Sequence, residues 1–166
     1  LTELVGASLT DDAHFIHLPR ALKTLILTMD PFMLSHGSAS NLPPRLTSLA
    51  LGQQVFRNPQ SAWFSRLPST LTRLDYCVPN EEEFDPNLTS ICTLPALARL
   101  SLSCGDRLSS WSLLPLICPP TLRVLRIIQH GATNPNRISA LDLVGLPATL
   151  LLFEVPNHLR PSGPNL

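Results

Sequence analysis

The chain contains no run of about 18 consecutive apolar residues, which excludes a membrane-crossing helix, and no charged-then-apolar signal segment opens it. Aromatic side chains are scarce at 5% and charged ones at 14%, and the low charge together with 17 prolines disfavours long helices and coiled coils. Neither sign of charge is in excess, with 12 basic against 12 acidic residues. The clustered basic surface that nucleic acid requires is therefore not legible, and nucleic acid is not expected as a main partner. A serine elbow of G-x-S-x-G form and a phosphate-cradling G-x-x-x-x-G-K-[ST] loop are both missing, so no enzymatic activity is expected.

The four cysteines, Cys77, Cys92, Cys104 and Cys118, form no C-x-x-C pair and carry no metal or redox motif. They are expected to be free, structural thiols, with a disulfide between neighbouring coils only if the protein is secreted. His14 and His17 lie three residues apart near Asp11 and Asp12. A zinc site would need a further framed ligand, so no metal or cofactor is assigned. Glu81, Glu82 and Glu83 read as a solvated loop, and the triplet Asn87-Leu88-Thr89 as a chance glycosylation sequon.

What the chain has in abundance is one apolar phrase. It appears as "LPRALKTLIL" from Leu18, "LPPRLTSLAL" from Leu42, "LPSTLTRLDY" from Leu67, "LPALARLSL" from Leu94, "CPPTLRVLRI" from Cys118 and "LPATLLLFEV" from Leu146. The anchor leucines, Leu22, Leu46, Leu71, Leu97, Leu122 and Leu150, are spaced 24 to 28 residues apart. The fourth copy is one residue short. Alternation with period two, together with Ile26, Tyr76, Val124, Ile127 and Val155, predicts a short strand in each copy. The proline ahead of each strand lacks an N–H and marks where the strand begins. A partial seventh copy, "LTELVG", starts at Leu1. "ISALDL" from Ile138 also fits the phrase but lies too close to Leu150, and is read as the return segment of the preceding coil. With 166 residues and 44% hydrophobic content, the whole chain, 1–166, reads as a single array with a substantial core. Because it opens on Leu1 inside a partial copy, it is expected to be a piece of a longer array and to self-associate through uncapped edges.

The L-x-x-L-x-L core and its period resemble the leucine-rich-repeat family over nearly the whole chain. The Leu-Pro lead is also similar to FNIP-type repeats, although the Phe-Asn-Ile-Pro tetrapeptide is missing. The ninth position, where the family often places asparagine, holds Asp30, Gln54, Pro79, Gly105, His130 and His158. The resemblance implies an α/β repeat solenoid, a leucine-rich-repeat horseshoe with a parallel β-sheet on its concave face and irregular turns or short helices on its convex face. It further implies a non-enzymatic protein-interaction module that binds another protein on the concave face. Two further readings are substrate recognition for an F-box-type ubiquitin ligase and, at a greater distance, a receptor ectodomain. No compartment is addressed by the sequence, and an intracellular setting is the expectation.

The residues between the leucines should point away from the core. Along that outward face, Arg73, Asp75, Arg99, Val124, Arg126, Ile128 and Glu154 form a mixed cluster of charge and apolar anchors. This is the composition enriched at protein interfaces, and these seven residues are the expected partner contacts.

Overall fold

Each copy of the phrase becomes a tight turn followed by a strand. A computed structural model of the chain describes residues 1–7, 12–27, 38–52, 62–78, 86–104, 118–129 and 146–154. In five copies the N–H of the anchor leucine donates to the carbonyl of the phrase proline: Leu22 to Pro19 at 2.9 Å, and Leu46 to Pro43, Leu71 to Pro68, Leu122 to Pro119 and Leu150 to Pro147 at 3.0 Å. The short fourth copy solves the same problem differently. There Leu97 donates to Leu94 at 3.4 Å, so Pro95 moves into the second turn position. Its fixed φ of about −65° suits that position.

The turns deliver seven strands: β1 (Glu3–Ala7), β2 (Thr24–Leu27), β3 (Ser48–Leu51), β4 (Arg73–Val78), β5 (Arg99–Cys104), β6 (Val124–Gln129) and β7 (Leu152–Glu154). They form one sheet in sequence order, and every neighbouring pair is parallel. The start of each strand is pinned the same way, by one carbonyl that accepts two successive N–H groups from the next coil. Lys23 accepts from Thr47 and Ser48 at 2.8 and 3.0 Å, and Thr47, Thr72, Ala98 and Arg123 repeat the pattern. Threonines ahead of the anchor leucines add a second seam. The Thr70 hydroxyl donates to the Leu46 carbonyl at 2.7 Å, Thr121 to Leu97 at 2.8 Å and Thr149 to Leu122 at 2.8 Å.

Register explains the core. Leu25, Leu49, Leu74, Leu100 and Leu125 stand side by side and are fully buried, as the phrase predicts. Leu27, Leu51, Tyr76, Leu102 and Ile127 form a second buried row. Each buried leucine contributes roughly 1.5–3 kcal/mol. The opposite wall comes from the return segments, which supply Phe15, Ala39, Trp63, Phe64 and Ile91 to the core. Phe64 meets the rings of Trp63 and Tyr76 edge-on, at centroid distances of 5.3 and 5.1 Å. β1 carries a bulge between Val5 and Ala7, where Gly6 adopts φ 70°, a left-handed conformation that a side chain would penalise.

This architecture corrects the leucine-rich-repeat reading. Over the described residues the chain is a seven-stranded parallel β-solenoid with almost no helix, not an α/β horseshoe with a concave sheet. Among the described residues the α-helix is limited to one turn, Ala62–Ser65, and the other return segments are 3-10 turns at Asp12–His17, Ser38–Asn41 and Pro86–Thr93. The physical reason lies in what the phrase encodes. Alternating leucines and a fixed period specify one strand per coil and its inward face, and any solenoid built that way shares them. They do not specify a helical return. Similarity to FNIP-type repeats falls with the family assignment, and the ubiquitin-ligase and receptor readings lose the resemblance they rested on.

The choice of Leu150 as the sixth anchor agrees with the sheet, because β7 pairs directly with β6, setting Leu125 beside Phe153. The segment containing Ile138, Leu141 and Leu143 lies outside the described residues, as do Glu81, Glu82, Glu83 and Trp111. The side chains of Asn87, Leu88 and Thr89 are likewise outside them.

Candidate functional site

The residues flanking each buried leucine form outward rows, because side chains alternate along a strand. The first row sets Arg73 beside Arg99, Arg99 beside Val124 and Val124 beside Leu152. The second places Asp75, Ser101, Arg126 and Glu154 in succession, and a shorter third runs through Cys77, Ser103 and Ile128. Neighbouring strands are about 4.8 Å apart. All seven residues expected from sequence, Arg73, Asp75, Arg99, Val124, Arg126, Ile128 and Glu154, therefore share one face across β4 to β7.

Two of the three arginines on that face are already paired with its carboxylates. Arg73 donates from Nε and Nη2 to Asp75 Oδ2, at 3.0 and 2.7 Å, within its own strand. Arg126 Nε donates across the strand boundary to Glu154 Oε2. That hydrogen bond raises the Arg126 guanidinium above its ordinary pKa, the charge of Glu154 adds to it, and the charge of Asp75 contributes least. Arg99 sits between the two pairs and is exposed. Its guanidinium has neither a hydrogen-bonding nor an ionic partner among the described residues. The cluster thus resolves into one open cation flanked by two closed ion pairs, with Val124 and Ile128 half-buried on the far side.

Two further features escape a linear reading. Cys77 belongs to an outward row yet is buried; burial raises its thiol pKa, and a hydrogen bond with Ser103 works against that rise. Cys118, in the core, is pushed up to about 12 by burial. Cys77, Cys92 and Cys118 are free, and the side chain of Cys104 lies outside the described residues. The second feature is charge distribution. Arg20, Lys23, Arg45, Arg66 and Arg123 are all exposed in the segments that lead into the strands. The signal was available, since basic residues recur just before or after the anchor leucines at Lys23, Arg45 and Arg123, but a chain-wide balance conceals it.

Among the described residues no group of three or more His, Cys, Asp or Glu is placed to hold a metal, and His14 and His17 are both exposed. None of the described helices is long and apolar enough to cross a membrane. No family model matches the chain, and no curated protein matches it either.

Proposed function

We propose that the chain is a non-enzymatic protein-recognition module whose outward sheet face takes an acidic segment of a partner protein, with Arg99 as the charge contact. The observation that carries this reading is the open guanidinium of Arg99 between the closed pairs Arg73–Asp75 and Arg126–Glu154. A guanidinium accepts a carboxylate through two parallel N–H donors. The neighbouring pairs have already satisfied their own charges, so they orient the strand surface without competing for the incoming carboxylate. Val124, its register neighbour, offers apolar area beside it, and Ile128 continues that apolar surface further along the same strand.

The test is a selection from a random peptide library on the purified chain and on its Arg99→Glu variant. The wild type is expected to enrich peptides rich in Asp and Glu, and the variant to lose that enrichment while keeping the same circular dichroism. Recovery of the same acidic peptides by both proteins would remove Arg99 from recognition and the sheet face with it.

A further inference from the structure

A short side chain that stands on a strand among longer neighbours leaves a depression, and the register places one such residue in the middle of the outward face. Ser101 lies between Asp75 of β4 and Arg126 of β6. Asp75 is held by Arg73 and Arg126 by Glu154, so an ion pair of long, partly exposed side chains stands on either side of the half-buried serine. Among the described residues the Ser101 hydroxyl has no hydrogen-bonding partner. Ser103, the next residue on the same face, hydrogen-bonds Cys77 and is already engaged. Ser101 is not among the seven contacts expected from sequence, because a serine in a strand carries no signal until its cross-strand neighbours are known.

The depression adjoins Arg99, two residues earlier on the same strand and the same face. Residues two apart on an extended strand are separated by about 6.7 Å, the interval at which an extended partner segment presents side chains on one side. Neighbouring strands are about 4.8 Å apart, an interval that an extended segment does not repeat. A segment crossing the sheet at Arg99 toward β4 would also have to ride over the Arg73–Asp75 pair. The strands that carry the two walls, β4 and β6, are separated by about 9.6 Å, twice the strand spacing, which admits one extended chain above β5.

We propose that the partner segment runs along β5 in extended form, with its carboxylate on Arg99 and the residue two positions away seated over Ser101, where only Gly, Ala or Ser fits between the two ion pairs. Resting on the reading of the outward face given above, this placement narrows the partner from an acidic segment to an acidic residue with a small one at the second position. The residue between them points away from the sheet and is unconstrained. The Ser101 hydroxyl meets the backbone of the small residue, which a bulky side chain would hold off. Arg73–Asp75 and Arg126–Glu154 therefore set the width of the path as well as closing their own charges.

Peptide arrays probed with the full chain test the proposal. Each peptide carries a fixed Glu in a Gly and Ser background, and every amino acid is placed in turn at each of the four positions before and after it. The wild type is expected to bind peptides with Gly, Ala or Ser at the second position on one side of the Glu about tenfold better than those with Leu or Phe there, and to be indifferent at the first position. The side preferred gives the direction of the segment. Ser101→Leu fills the depression and is expected to weaken the best peptides about tenfold with an unchanged melting curve, whereas Ser101→Ala keeps the space and the preference. A wild type with no preference at the second position overturns the proposal, as does one whose preferences fall at the third and fourth positions, the spacing of a helical segment. So does a Ser101→Leu protein that binds like wild type. Peptides with Gln in place of the fixed Glu separate the two readings. If they bind as well, Arg99 is not the charge contact and both readings fall; if the Glu is required but the second position is indifferent, only this one falls.

Discussion

Truncating Leu100 to alanine probes the stacking of coils where it is least able to adapt. Leu100 is 1% exposed, at the centre of β5, with Leu74 and Leu125 as its fully buried register neighbours. Removing three side-chain carbons there forfeits their transfer free energy and opens a cavity between two layers held by sheet hydrogen bonds. Such sites collapse poorly, which places the cost in the upper part of the usual range, at about 4 kcal/mol. Set against a typical total of about 5–15 kcal/mol, that is a large share of the stability. For a domain of this size it corresponds to a fall in Tm of roughly 8–16 °C. The assay is thermal and urea unfolding followed by far-UV circular dichroism, with Leu152→Ala as the comparison because Leu152 faces outward at the edge. Leu152→Ala is expected to cost less than about 0.5 kcal/mol, as exposed substitutions usually do. If the two variants melt together, the inward and outward rows have been interchanged and the register is wrong.

Thr121→Val keeps the shape of the side chain and deletes the hydroxyl that donates to Leu97; a loss of about 0.5–1.5 kcal/mol is expected in urea unfolding, and an unchanged midpoint would show that the threonine seam is ornamental to stacking. The buried thiol of Cys118 has its pKa raised by burial from 9.0 to about 12. Between those values the unfolded chain has lost the proton and the folded one retains it, so rising pH favours unfolding. Stability from this group is complete below pH 9 and is expected to decline as pH climbs toward 12. Melting curves of Cys118→Ala should show a shallower decline over that window than wild type, and parallel declines would contradict the assigned burial effect.

The strands, their parallel order and the buried leucine row were legible from the phrase because period-two alternation with a fixed repeat leaves one way to bury Leu25, Leu49, Leu74, Leu100 and Leu125 together. The return path was not. Phe15, Ala39, Phe64 and Ile91 each lie three residues ahead of a phrase leucine and fill the opposite wall, but four side chains so different in size leave no periodic trace. The family assignment failed for that reason, and the missing asparagines at Asp30, Gln54, Pro79, Gly105, His130 and His158 were the sequence-level sign of departure. At the outward face, membership was readable and pairing was not. Which arginine holds which carboxylate depends on rotamers and on cross-strand neighbours, so Arg126 with Glu154, 28 residues away, is invisible without the register.

The turn of the fourth copy separates two quantities that a repeat ordinarily ties together, its length and its pitch. Successive anchors are 24 to 28 residues apart, yet the strands stack with the inward row unbroken from Leu25 to Leu125. Pitch is set at the start of each strand, by the carbonyl that grips two N–H groups, and the differences in length fall upstream of that point, the turn itself taking its proline at either of two positions. A coil in this chain therefore behaves as a cassette with a standard connector at one end and adjustable slack before it. Residues can be gained or lost in the slack without displacing the face that the connector presents.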